Sequence, residues 1–130
     1  MTLRETIYTA IVTDVAASAI IGTRCYPDRL PPDVILPAIS FIRVSEVDSD
    51  YRTHDRVRVT RAVARIQLNI YGTTGDEADA LATAIVLLFT NCQTGAIDSS
   101  WVESRNDVYE PSLNRFRCII DVMVNFDRTN

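Results

Sequence analysis

Lysine is absent from the chain: all 13 basic residues are arginine. This removes Schiff-base lysines, the phosphate-gripping lysine of a Walker loop and any lysine general base. His54 is the single histidine, so metal sites built on a histidine pair are excluded. The three cysteines, Cys25, Cys92 and Cys118, are odd in number and show no CxxC spacing. Neither a disulfide framework nor a zinc site is indicated, and buried free thiols in a reducing cytosol are expected. A basic surplus is also missing. Seventeen acidic residues outweigh the arginines and leave a formal net charge of −4, the balance of a soluble, mildly acidic chain. A dedicated sequence-independent DNA binder needs the opposite balance. Long apolar runs are lacking too. The longest, residues 84 to 89, is far too short to span a bilayer. Glu5 stands where a secretion signal is basic, and Asp14 interrupts the apolar stretch that follows, so no signal peptide is expected.

What is present is ordinary in proportion. Apolar residues make up 47% and charged residues 23% of 130 residues, which suits one globular domain with a real core. Residues 1–130 are therefore expected to form a single domain, with a long polar loop at about 46–61.

The hydrophobic pattern lays out the elements. Leu3, Ile7, Ala10, Ile11 and Val15 recur at three- and four-residue steps, predicting a helix over residues 2 to about 18. Thr2 and Glu5 fit a capping box at its start, and Gly22 is a suitable stop. Pro27, Pro31, Pro32 and Pro37 then impose an extended connector. Residues 38 to 44 read as a strand. A second strand runs over about 63 to 71, with Ala64, Ile66, Leu68 and Ile70 on one face and Arg65, Gln67, Asn69 and Tyr71 on the other. Val57 and Val59 have the opposite parity, so a bulge or bend is expected near residues 61–63. A helix begins near Asp76 and carries Ala78, Leu81, Ala82, Ile85, Leu88 and Phe89 on one face. Two closing strands, over 100–108 and 115–127, complete the order α-β-β-α-β-β. The predicted fold class is α+β: a mostly antiparallel four-stranded sheet with two helices packed on one face.

Few constellations carry chemistry. Gly72-Thr73-Thr74-Gly75 lies between a strand and a helix, where phosphate cradles occur. Asp76 and Glu77 follow at once; they complement the helix dipole but repel a phosphate, which favours a capped turn. Asp48 and Asp50 offer two carboxylates to Mg²⁺ with no evident third ligand. His54 has Asp55 beside it, but neighbours on an extended chain point apart, so no orienter is in place. Trp101, Tyr51, Tyr71 and Tyr109 are too scattered to read as a stacking platform. No nucleophile–base–orienter set, cofactor fingerprint or metal cluster can be assembled, and no enzyme is expected.

The most informative feature is a run of cations. Arg52, Arg56, Arg58, Arg61 and Arg65 fall within one short stretch that also holds His54 and is opposed only by Asp55. Three readings stay open: a solvated face, a subunit interface in which arginine forms bidentate pairs, and contact with a nucleic-acid backbone.

The order of segments carries a resemblance. A first helix leads to Gly22-Thr23-Arg24-Cys25-Tyr26-Pro27, then Arg29-Leu30-Pro31 and Leu36-Pro37-Ala38-Ile39-Ser40-Phe41. After the polar stretch come Ala64-Arg65-Ile66-Gln67-Leu68-Asn69-Ile70-Tyr71-Gly72 and a helix with Glu77-Ala78-Asp79-Ala80-Leu81-Ala82. Over residues 3 to 90 this resembles the tail terminator, or tail completion, proteins of long-tailed bacteriophages and related gene transfer agents. The resemblance implies a structural virion protein forming a hexameric ring on the head-proximal end of the tail tube. Such a ring stops tube polymerisation and docks the head connector, and genomic DNA passes through its lumen. It implies location in the tail neck, assembly in the host cytoplasm, and partners in further copies of the chain, the tube protein and the connector or head-closure protein. No cofactor, metal or membrane is implied. Within that frame Arg52, His54, Arg56, Arg58, Arg61 and Arg65 are candidate subunit or tube contacts. Asp98, Glu103, Asp107 and Glu110 are possible counter-charges on a neighbour. The alternatives are another neck or tail component, such as a head-closure or tube protein, and a small nucleic-acid-binding module using the arginines.

Overall fold

The structure is a computed structural model that describes residues 2–48, 61–111 and 115–128. Two short helices open the chain, α1 (Leu3–Thr13) and α2 (Val15–Ile21). They are one predicted helix broken at Asp14. Its backbone is extended, its N–H closes α1 on the Ala10 carbonyl at 3.1 Å, and its carboxylate accepts from the Ala17 N–H at 3.0 Å to cap α2. Aspartate competes for backbone donors in this way wherever a helix can stop. At the other end, Thr2 caps α1 through the Glu5 N–H as the sequence predicts.

Strand β1 (Cys25–Pro27) pairs in parallel with the start of β2 (Ala38–Asp48). β2 pairs antiparallel with β3 (Arg61–Gly72), which leads into α3 (Gly75–Phe89). β4 (Ile97–Glu110) and β5 (Arg115–Asp127) form an antiparallel pair, and β5 inserts beside β3. The sheet order is β1-β2-β3-β5-β4.

The α+β class holds, with two corrections of detail. The sheet has five strands and is mixed, because the proline-rich connector contributes a three-residue parallel strand too short to show a period. Three helices replace two because Asp14 splits the first. The bulge also lies elsewhere. β3 pairs with β5 without interruption from Arg61 to Gly72, whereas the β2–β3 register shifts at Val44. Strand structure takes both ends of the expected 46–61 loop, as β2 runs to Asp48 and β3 starts at Arg61; Val57 and Val59 lie outside the described residues.

The core sits between the sheet and the helices. Ala64, Ile66, Leu68 and Ile70 from β3 meet Cys118, Ile120, Val122 and Val124 from β5, all buried. Ile7, Ile11, Leu81, Ile85 and Phe89 close on them from the helices. Burial of this kind contributes about 25 cal/mol per Å² of apolar surface removed from water. Two buried hydroxyls tie the layers together. Ser100 donates to the Phe89 carbonyl at 2.6 Å and accepts from the Cys92 N–H at 3.0 Å. Thr6 donates to the Thr2 carbonyl at 2.9 Å and accepts from the Ala96 N–H at 3.3 Å. The helices pack on one side, and among the described residues no helix or strand covers the opposite face of the sheet.

Candidate assembly surface

That uncovered face is built from alternate residues of the strands. β3 supplies Arg65, Gln67, Asn69 and Tyr71, and β5 supplies Arg117, Ile119, Asp121, Met123 and Asn125. The alternation predicted for β3 and β5 is what puts them there. Its polar groups are largely satisfied by one another. Arg117 donates to Asn69 Oδ1 from Nε at 3.1 Å and from Nη2 at 2.6 Å. Ser104 donates to Asp121 at 3.2 Å and Asn125 to Ser99 at 3.0 Å. Tyr71 lies beneath two guanidiniums, Arg115 at 4.6 Å and Arg117 at 5.8 Å from its ring centroid, an arrangement that suits cation–π attraction.

The candidate cations divide in two. Arg52, His54, Arg56 and Arg58 lie outside the described residues, as do Asp50, Tyr51 and Asp55. Arg61 and Arg65 are both on β3, four residues apart in an uninterrupted register and so on the same face of the strand. Arg61 forms an ion pair with Asp98 of its own chain. Arg65 is half-buried on the uncovered face and forms no ion pair with the described residues. Three of the four acids considered as a neighbour's counter-charges have arginine partners in the same chain: Asp98 with Arg61, Asp107 with Arg105 at 3.8 Å, and Glu110 with Arg115 at 3.5 Å. Among the described residues Glu103 alone of these acids has no cation; it accepts from Trp101 Nε1 at 2.7 Å.

The other motifs resolve as local structure. In the Gly72–Gly75 turn, Thr74 caps α3 through the Glu77 N–H at 3.1 Å, and the Glu77 carboxylate accepts from the Thr73 N–H at 3.0 Å. A carboxylate thus occupies the position a phosphate would need. Asp48 pairs with Arg128 at 2.7 Å. Tyr71 and Tyr109 sit on opposite faces of the sheet, Tyr109 against the Phe116 ring at 4.6 Å, so the aromatics form no common platform. Burial pushes the Cys25 thiol up to about 12 and Cys118 to about 11, the latter with help from the Asp107 carboxylate. Both are poor nucleophiles as a result. Among the described residues no group of three or more His, Cys, Asp or Glu is placed to hold a metal ion, and no helix is long and apolar enough to cross a membrane.

The features sequence reasoning missed are apolar. Ile42, Val44 and Val47 on β2, and Trp101, Val108 and Tyr109 on β4, are all exposed. Their sole signal is that the order of strands leaves β4 at one side of the sheet and β2 beside only the three-residue β1 at the other, and strand order is not written in local periodicity.

Among the described residues the domain is a small α+β fold with exposed apolar strands. The family model for tail completion protein gp17 matches residues 5–127, and the chain belongs to that family of structural virion components. No curated protein sequence matches it. Among solved structures, a chain from the virion of a native gene transfer agent particle superposes with a TM-score of 0.73 at 15% identity, covering 97% of this chain and 95% of that one. At that identity the likeness is one of fold.

Proposed function

We propose that the protein is a tail terminator: a ring, hexameric in the family's manner, that seats on the head-proximal end of the tail tube and stops its growth. The ring presents its other side to the head connector or head-closure protein, and DNA passes through its lumen without sequence-specific contact. It resides in the tail neck of the virion and assembles in the host cytoplasm. The observation that carries this reading is the tail completion match across residues 5–127, supported by the likeness of fold to a chain of a gene transfer agent virion. The absence of a basic surplus supports contact with protein rather than nucleic acid.

Arg52, His54, Arg56, Arg58, Arg61 and Arg65 are proposed contacts to a neighbouring subunit or the tube. Closed rings need two different complementary surfaces on each subunit. Reversing Arg56 and Arg58 to glutamate is expected to block ring formation at moderate salt, read as a loss of the assembled mass in light scattering. A ring of undiminished mass would remove these two from the interface. The reading as a whole is tested by solution mass over a range of concentrations, with and without tail tube protein. A closed ring, or a monomer that closes on tubes and caps them, is expected. A tube subunit would instead polymerise alone into long cylinders. A persistent monomer that ignores tubes and is retained on DNA at low salt would favour the nucleic-acid reading.

A further inference from the structure

Nine large apolar side chains are exposed among the described residues, and six of them lie on two strands of one sheet, β2, which only the short β1 flanks on its outer side, and β4, the last strand on the other side. They are Ile42, Val44 and Val47 on β2, and Trp101, Val108 and Tyr109 on β4. The placement within each strand is narrower still. β1 pairs with β2 only as far as Phe41, whose carbonyl takes the Asp28 N–H at 2.7 Å. Among the described residues, 42–48 therefore present an open backbone edge, and all three β2 side chains fall inside it. On the opposite side, the turn after α3 covers the start of β4, with the Asn91 N–H on the Ser100 carbonyl at 2.9 Å. Among the described residues no strand lies beyond residues 101–110, and all three β4 side chains fall inside that stretch.

An open strand edge flanked by exposed apolar groups templates pairing with another strand, and proteins that do not use such edges blunt or cover them. Here both edges are covered at one end and left open where the apolar side chains cluster. Each open stretch also carries one bulge, Val44 in β2 and Glu103 in β4, which restricts the register a partner strand can take. The charges at the two bulges are complementary. Arg65 stands directly across from Ser45, next to the first bulge, without an ion pair among the described residues. Glu103 is the second bulge and has no cation among the described residues.

The geometry points to a second copy of this chain as the occupant of both edges: residues 42–48 of one subunit pair with residues 101–110 of the next, so that the sheets join edge to edge. The two surfaces differ and lie on opposite sides of the subunit, as a head-to-tail contact requires. The inference rests on the ring reading above and names the surface that closes the ring.

Two variants with exposed substitutions test it: Val44→Glu with Val47→Glu on one edge, and Trp101→Glu with Val108→Glu on the other. Each is first matched to wild type by circular dichroism and thermal melting. Wild type and both variants are then weighed by light scattering at the concentration at which wild type assembles, alone or on tail tubes. Each variant alone is expected to be a monomer that leaves tubes uncapped. An equimolar mixture is expected to give a species of twice the chain mass and nothing larger, since one intact edge of each kind remains. Three results would overturn the inference: a variant that still forms the wild-type assembly, a variant that forms dimers by itself, or a mixture that stays monomeric. If wild type caps tubes while a variant does so equally well, the edges are wrong and the terminator reading stands. If wild type neither assembles nor affects tubes, both fall.

Discussion

Gly72 shows how little slack single positions have. A Cβ there would meet the Ala78 backbone nitrogen at 2.9 Å, and backbone at the first turn of α3 cannot move aside without disturbing the helix. Gly72→Ala is expected to cost about 1–3 kcal/mol by overpacking, measured by chemical denaturation; an unchanged midpoint would mean that the turn relaxes freely. Ser100 is a second such position. Its hydroxyl serves both the Phe89 carbonyl and the Cys92 N–H. Ser100→Ala leaves two buried backbone groups unpaired and is expected to cost about 1–3 kcal/mol. The thiols give a pH dependence whose sign follows from proton counting. Cys25 keeps its proton in the folded chain to about 12, against an ordinary value of 9.0. Below pH 9 the thiol is protonated in both states and contributes no slope. Above it the unfolded chain releases the proton first, so stability falls by about 1.4 kcal/mol per pH unit for such a thiol. Denaturation midpoints at pH 8 and pH 10.5 should show this fall, and Cys25→Ala should make it shallower.

At the scale of elements, the strongest periodicities were the most legible. β5 begins and ends where its alternation does, and α3 buries Leu81, Ala82, Ile85 and Phe89 as its spacing requires. Both helix starts announced themselves through Thr2 and Thr74. Apolar spacing carries straight through residue 14 and so predicts one helix, while the deciding interaction is the Asp14 side chain competing for backbone donors. β1 was invisible because three residues cannot display a period of two. The bulge at Val44 escaped because it depends on register against β3 and not on the sequence of β2 alone. For the candidate surface, the arginines stood out as a run, yet Arg61 turns to Asp98 of its own chain. The exposed apolar edges stayed hidden until the strand order was known.

For the whole molecule, a layer of helices on one side of the sheet leaves a mixed, largely polar face on the other and two apolar edges. Exposed apolar residues scattered singly need no explanation. Six of the nine among the described residues, gathered on two open strand edges of one sheet, do. A subunit of this shape is expected to add copies sideways until they close, and a closed ring leaves no free edge. That outcome suits a component that must end a polymer without extending it.

The length distribution of tail tubes, measured by electron microscopy as this protein is added during tube assembly, tests the central claim most directly. Tubes that stop growing, each with a ring at one end and none coated along its side, are the result predicted. Tubes that lengthen at the same rate with no terminal density, at saturating amounts of the protein, would contradict it.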